Sequence, residues 1–335
     1  MKIYQSFLAV ASRFARRIRA VTSSVLLKGR KMDLSKTELK ILELISMEGF
    51  HKNLIQKEFK ILTQKHGLNI TPSNFYSSVP LVDDLETHYK KNINKQIYNH
   101  PSVFDEQFIK KYLSNLSQYQ AEFTPPDNPI GTDGQYFSNN EMFSHSDAMA
   151  YYCFVRHLKP KTIVEIGSGY STSVAREALI KNGTDNTIIS NEPHPSKFLL
   201  AVSGVEIFKR KAQEISAKEI DESLDEGDIL FIDSTHTVKE GSDVIHIISN
   251  ILPYISKKIY VHFHDIFLPF VFPKYWVEEH RYWEEQYLLY AFLLDNPRAK
   301  VLFGSSYNAA NFQQQMDQFT VSEVIHGGSL WFQYN

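Results

Sequence analysis

The chain of 335 residues contains one cysteine, Cys153. A single thiol excludes an intrachain disulfide and a cysteine-built zinc cluster, and it agrees with a reducing, cytoplasmic setting. A basic excess is lacking too: 36 Lys and Arg stand against 38 Asp and Glu, a formal charge of −2. That balance argues against nucleic acid as a partner, because nucleic-acid-binding chains usually show a marked positive excess. No run of about 18 apolar residues occurs, so no transmembrane helix is expected. Internal repeats and low-complexity tracts are absent as well. What remains is 43% hydrophobic and 22% charged residues, the composition of a soluble globular protein, on a length that suits one large domain plus a smaller one or two modest domains.

Charge is unevenly placed at the start. Residues 1–32 hold eight Lys or Arg and no Asp or Glu, with Phe7, Leu8, Val10, Phe14 and Ile18 spaced roughly as one helix face. This leader reads either as an amphipathic helix in peripheral contact with an anionic membrane or as a basic segment docking on an acidic patch. Ser12, Arg13, Arg16 and Arg17 interrupt any signal-peptide core. Residues 33–135 read as a helical accessory or cap region. Helical spacing runs over 33–66 and again from Asp105 to Tyr119, separated by an irregular stretch, Asn69 to Pro80, whose prolines forbid a long helix. The loop Phe123 to Gly134 is dense in turn residues and marks the boundary to a third region, 136–335.

In that third region strands alternate with helices. The expected strands are 162–166, 187–190, 205–208, 228–233 and 258–265. Alternation of this kind implies a parallel sheet covered on both faces, a Rossmann-like α/β fold. Two later stretches, 300–303 and 329–333, have no strong helical pattern between them and read as a closing antiparallel pair.

The first strand carries the ligand signal. Thr162-Ile-Val-Glu-Ile-Gly-Ser-Gly169 runs into short hydroxyl residues and then a helical pattern. Strand, glycine turn and helix N-terminus in that order favour a nucleotide-type ligand, because glycine permits close approach and the helix start presents free N–H groups. A dinucleotide fingerprint asks for a small third residue, and here the sixth position is Thr172. Glu165 precedes the first glycine by two residues, Glu192 ends the second strand, and Asp233 ends the fourth.

Val164-Glu-Ile-Gly-Ser-Gly-Tyr-Ser-Thr172 resembles motif I of the class I S-adenosylmethionine-dependent methyltransferases, with Ser171 in the third glycine's place. More narrowly, Asn74-Phe-Tyr-Ser77, Asn140 with Phe143 and Asp147-Ala148, Phe231-Ile-Asp-Ser-Thr-His236 with Gly241-Ser-Asp243, Val261-His-Phe-His-Asp-Ile-Phe-Leu-Pro269, Glu285-Gln-Tyr-Leu-Leu289 and Gly327-Gly-Ser-Leu-Trp331 are similar to a largely uncharacterised bacterial group of such enzymes. The resemblance runs from about residue 66 to the end. It implies a seven-stranded sheet, mostly parallel with an antiparallel closing strand, and S-adenosylmethionine as cofactor. Glu165, Gly167, Ser168 and Gly169 would then hold its methionine end, Glu192 its ribose hydroxyls, and Gln213 its adenine, with Asp233 bordering the same crevice. Glu284 and Val271-Phe-Pro273 depart from the group's pattern near the expected acceptor pocket.

Methyl transfer from a sulfonium requires the protein to orient an acceptor and remove its proton. His236, His264 and Asp265 are the candidate catalytic groups, at the ends of strands four and five. Asp233 and Asp265 are also positioned to hold Mg2+ or Mn2+. Bland readings stand beside these. His262 and His264 share a strand face, so one can be a core histidine, and His236 can cap the following helix. Trp276, Tyr282 and Trp283 either wall a pocket or pack a lid. The expectation is O-methylation of a hydroxyl on a small-molecule or sugar acceptor by a cytoplasmic enzyme, with assembly into a homo-oligomer left open. An NAD-dependent oxidoreductase and a non-catalytic cofactor-binding protein are the alternatives.

Overall fold

The computed structural model describes residues 56–131, 133–183, 186–279, 281–321 and 327–335, with isolated positions between 35 and 43. The basic leader 1–32 and most of the helical stretch expected over 33–66 lie outside the described residues. The chain divides into two compact units, Met1–Leu85 and Glu86–Asn335.

In the first unit, α1 (Lys57–Lys65) buries Phe59 and Thr63, one turn apart on a single face. The stretch between residues 68 and 81 is irregular, as its prolines require. A helix not anticipated from apolar spacing follows, α2 (Val82–Asn92), and the division between the units falls within it. Asp83 and Asp84 in its first turn and Lys90 and Lys91 in its last oppose the helix dipole at both ends.

The second unit begins before the sheet itself. In α3 (Glu106–Ser117) the N-cap Asp105 accepts from Phe108 N at 3.1 Å, and Ile109, Leu113 and Leu116 form a buried stripe. This helix packs on α4 and on the sheet's edge strand β6. The sheet domain therefore draws in residues well before position 135. In α4 (His145–Leu158) the hydroxyl of the N-cap Ser144 accepts from Asp147 N, and every residue from Ser146 to Val155 is buried. A helix buried on all sides lies in the core, not on its surface. Tyr151 stacks on Phe231 at 4.5 Å and Phe154 on Trp331 at 4.0 Å, which seats α4 on the sheet.

Seven strands form the sheet: β1 (Thr162–Ile166), β2 (Thr187–Asn191), β3 (Val205–Phe208), β4 (Ile229–Ile232), β5 (Ile259–Phe263), β6 (Ala299–Gly304) and β7 (Leu330–Tyr334). Their spatial order is β3-β2-β1-β4-β5-β7-β6. The first five run parallel, and β7 is antiparallel to both β5 and β6. β1, β4 and β5 are almost wholly buried, as expected of strands covered on both faces. After β1 comes α5 (Tyr170–Asn182), and after β5 comes α6 (Glu285–Leu293).

The closing pair is antiparallel as expected, but two helices lie between its strands: α7 (Ser305–Asn311) and α8 (Gln313–Thr320). Their polar stretches, Ser-Ser-Tyr-Asn and Gln-Gln-Gln-Met, show no apolar periodicity. They bury only Ser305, Tyr307 and Asn308, then Met316, Phe319 and Thr320. Tertiary contact, not local pattern, makes them helical.

Candidate active site at the carboxyl ends of the strands

Three backbone hydrogen bonds align the site. Gly167 N donates to Asn191 O, Asp233 N to Ile166 O and His264 N to Ile232 O, all within 2.9–3.0 Å. Each bond continues the sheet one residue past its strand, so Gly167, Asp233 and His264 stand side by side at the carboxyl edge. Gly167 adopts φ +83°, and a Cβ there would lie 1.7 Å from Asp233 O. No other residue fits that position. Beside Gly169, by contrast, a Cβ would meet nothing within 4 Å, so the turn borders open space.

Glu165 lies one layer beneath the turn. It is fully buried, accepting from Tyr151 OH at 3.1 Å and from Thr172 Oγ1 at 2.5 Å. Thr172 Oγ1 in turn accepts from Gly169 N at 3.2 Å. Glu165 thus fixes the turn from below, and burial pushes its pKa up to about 7 against the hydrogen bonds that lower it. The Ser190 hydroxyl donates to Ser168 Oγ at 2.8 Å, joining the turn to β2. Glu192 follows β2 directly, half-buried, and accepts from His194 N at 2.7 Å. Gln213 is exposed and donates to Gly241 O at 3.0 Å, linking the loops after β3 and β4.

The second half of the site gathers four of the expected residues. His236 Nε2 lies 3.5 Å from both Asp233 Oδ1 and Asp265 Oδ2. His264 Nδ1 lies 3.6 Å from Asp233 Oδ2 and 3.5 Å from Asp265 Oδ1. The two carboxylates therefore sit between the two imidazoles. Beyond the rings are two more acids: Glu285 at 2.7 Å from His236 Nδ1 and Asp147 at 3.4 Å from His264 Nε2. His236 and Asp265 both hold left-handed backbone conformations, at φ 60° and 59°. Such conformations are disfavoured for residues with a Cβ and concentrate at functional sites.

Burial alone would lower the pKa of both histidines. Hydrogen bonding to Asp233 and Glu285 lifts His236 instead to about 10, and the charges of Asp265 and Asp233 lift His264 well above its ordinary value. Asp233 goes the other way: burial opposes it, but His264 and His236 bring it below the usual carboxylate range. Asp265 is raised, with burial as the main cause. His262 is the core histidine of its strand face. It stacks on Phe231 at 4.2 Å and approaches Ser329 Oγ at 3.1 Å, and burial drives its pKa far down.

His236 does not cap the helix that follows it in sequence. Its carbonyl accepts from Glu284 N and Glu285 N at the start of α6, which explains how Glu285 reaches its ring. Trp283 lies 4.5 Å from the His236 ring and Trp276 lies 4.7 Å from Trp283, with Arg281 about 5 Å from both indoles. This aromatic wall borders the histidine cluster. Asp147, Glu285 and Thr172 lie within the motifs that carry the resemblance, but the sequence gives none of them a part in the site. Asp147 is a first-turn acid of a buried helix, and no local pattern distinguishes it from a dipole partner. It bonds Ser329 Oγ at 2.7 Å, while a Cβ on Gly327 would fall 2.0 Å from its carboxylate. The Gly-Gly before β7 was the available signal for such a close approach.

Residues 164–266, from β1 through the His264-Asp265 pair, match the model of a family described as a methyltransferase domain. An uncharacterised protein of Archaeoglobus fulgidus is 29% identical over 187 residues, spanning 55% of this chain and 81% of that protein. Among solved structures, the S-adenosylhomocysteine-bound Podospora anserina methyltransferase PaMTH1 has a TM-score of 0.36 at 18% identity, covering 79% of this chain and 98% of that one. The plantazolicin methyltransferase BpumL, also bound to S-adenosylhomocysteine, has a TM-score of 0.34 at 15% identity, covering 75% and 99%. Over residues 164–266 the chain is similar to methyltransferase domains, and its sheet, mostly parallel with an antiparallel closing strand, is the seven-stranded architecture expected from the sequence.

Proposed function

We propose that the protein transfers the methyl group of S-adenosylmethionine to a hydroxyl of a small-molecule or sugar acceptor. The observation that carries this reading is the shared edge of the sheet. There the glycine turn after β1 and the His–Asp cluster after β4 and β5 are brought together by the bonds from Gly167, Asp233 and His264. The open space beside Gly169 and the half-buried carboxylate of Glu192 fit the cofactor's methionine end and ribose. Glu165 acts through the turn it pins, Ser168 steadies that turn on β2, and Gln213 lies where the adenine edge is expected.

S-adenosylmethionine supplies an electrophilic methyl group, so the chain's own task is to position the acceptor oxygen and take up its proton. His236, His264 and Asp265 are the groups placed for this, sharing the proton with Asp233 as one coupled cluster. Asp233 and Asp265 also present a fit for Mg2+ or Mn2+, which would supply Lewis acidity toward the hydroxyl. The wall of Trp276, Trp283 and Arg281 suits the apolar face of a ring acceptor.

The test is S-adenosylhomocysteine release with a panel of hydroxylated acceptors. A product methylated on oxygen is expected. His264→Asn and Asp265→Asn are each expected to lower turnover by at least about 100-fold while S-adenosylhomocysteine still binds. Methylation on nitrogen or carbon alone, or full turnover in both variants, would contradict the proposal.

A further inference from the structure

Residues 134–144 form a strap that joins the two halves of the candidate site. At its start the Ser173 hydroxyl, on α5, donates to Gly134 O at 2.7 Å and accepts from Tyr136 N at 3.1 Å. Phe137 and Tyr170 then pack at right angles, ring centroids 5.4 Å apart, and Tyr170 in turn meets Phe198 at 4.2 Å. Tyr170 is the first residue of α5 and directly follows Gly169, where the turn borders open space. At the far end Phe143 is buried with its ring 5.0 Å from that of His264, and Ser144 caps α4.

Asn140 sets the shape between these ends. Its side chain is buried, and both of its polar atoms bond the strap's own backbone. Nδ2 donates to Phe137 O at 2.7 Å and to Phe143 O at 3.0 Å, while Oδ1 accepts from Met142 N at 3.0 Å and Phe143 N at 2.7 Å. Tyr136 OH adds a further bond to Phe143 O at 2.9 Å. At the tip, Glu141 and Met142 are exposed, with Glu141 at φ 61°. An amide has two donors and two acceptor sites, and Asn140 uses all four on residues 137–143. None is left for a ligand, so the task of Asn140 is to fix where Phe137 and Phe143 stand.

We propose that this strap holds the amino-acid end of the cofactor, with Phe137 as a contact residue beside Tyr170 and Asn140 as its positioning residue. This rests on the reading of the glycine turn as the S-adenosylmethionine site. The amino-acid end carries an ammonium group, which needs a partner once it leaves water. Glu165, the acid that the resemblance assigns to that end, is fully buried beneath the turn and already bonded to Tyr151 and Thr172. An aromatic face attracts a cation within about 6 Å of the ring centroid. Phe137 and Tyr170 are both half-buried and stand on the open side of the turn, so they supply what Glu165 does not. Because Phe143 ties the same strap to His264, the grip on the cofactor and the place of the imidazole are set by one rigid segment.

The experiment is calorimetric titration of the full-length protein with S-adenosylhomocysteine and with methylthioadenosine, which keeps the nucleoside and thioether but lacks the amino-acid end. Phe137→Leu and Asn140→Ala are each expected to weaken S-adenosylhomocysteine by about 5- to 30-fold while methylthioadenosine binds as it does to wild type. Phe137→Tyr keeps the ring and should retain wild-type affinity for both. A merely structural role would weaken the two ligands alike or lower the melting temperature alone. Phe137 is only half-buried, so Phe137→Leu reads the contact even where Asn140→Ala costs stability. Equal weakening of both ligands, or unchanged S-adenosylhomocysteine affinity in either variant, would overturn the proposal. A folded wild-type protein that binds neither ligand would overturn the methyltransferase reading along with it.

Discussion

At the scale of single residues, Glu165 has a measurable consequence apart from catalysis. Its pKa is raised from 4.5 to about 7 because the carboxyl is wholly buried. The folded state therefore holds a proton that the unfolded state releases between those two values. Its contribution to stability is complete below about pH 4.5 and is lost as pH rises toward 7, at a slope approaching about 1.4 kcal/mol per unit. Urea unfolding of wild type and Glu165→Gln across pH 5–7.5 should show that slope in the wild type and a flatter profile in the variant. Parallel profiles would contradict the assignment. Gly167→Ala is a sharper case, since its Cβ would sit 1.7 Å from the Asp233 carbonyl at φ +83°. A loss of about 3 kcal/mol or more, read as a fall in melting temperature, is expected. Both positions were visible in the sequence because the glycine turn is a local motif. What Glu165 does there was not visible. Its partners Tyr151 and Thr172 sit on two different helices, and only the fold brings all three together.

At the scale of elements, the start of α4 and the start of β7 form one unit. Asp147 accepts from Ser144 Oγ at 2.6 Å, Ser329 Oγ at 2.7 Å and Gly328 N at 3.3 Å, all buried or nearly so. Asp147→Ala leaves those donors without an acceptor, and a destabilisation of about 2–4 kcal/mol is expected in denaturant unfolding. Asp147→Asn keeps the size and part of the bonding, so it should cost less. If both variants unfold like wild type, α4 and β7 are not coupled in this way. The strands were legible from their β-branched runs, and the antiparallel closing pair from its position. The helices α7 and α8 were not, because a helix held by two or three buried residues leaves no period to read. Asp147 and Glu285 stand in motifs that carry the resemblance, but their roles were not legible, because they depend on contacts spanning more than 40 residues of sequence.

At the scale of the whole molecule, the compact unit from Glu86 to Asn335 contains the complete sheet, the glycine turn and the His–Asp cluster. A chain beginning at Val82, so that α2 stays whole, should fold and bind cofactor as the full-length protein does. Circular dichroism and a melting temperature near the wild-type value would show this. The boundary expected near residue 135 came from a loop rich in proline and glycine. A loop of that kind marks a turn as readily as a domain junction, and α3 before it buries its apolar stripe within the sheet domain. On the proposed reading, the turn after β1, with Glu192 beyond it, holds S-adenosylmethionine. Calorimetric titration of the full chain with S-adenosylhomocysteine and with NAD tests it most directly. One-to-one binding of S-adenosylhomocysteine is predicted, weakened by about 10- to 100-fold in Glu192→Ala, or roughly 1.4–2.7 kcal/mol, with no binding of NAD. Binding of NAD without S-adenosylhomocysteine, or an affinity for S-adenosylhomocysteine that Glu192→Ala leaves unchanged, would contradict it.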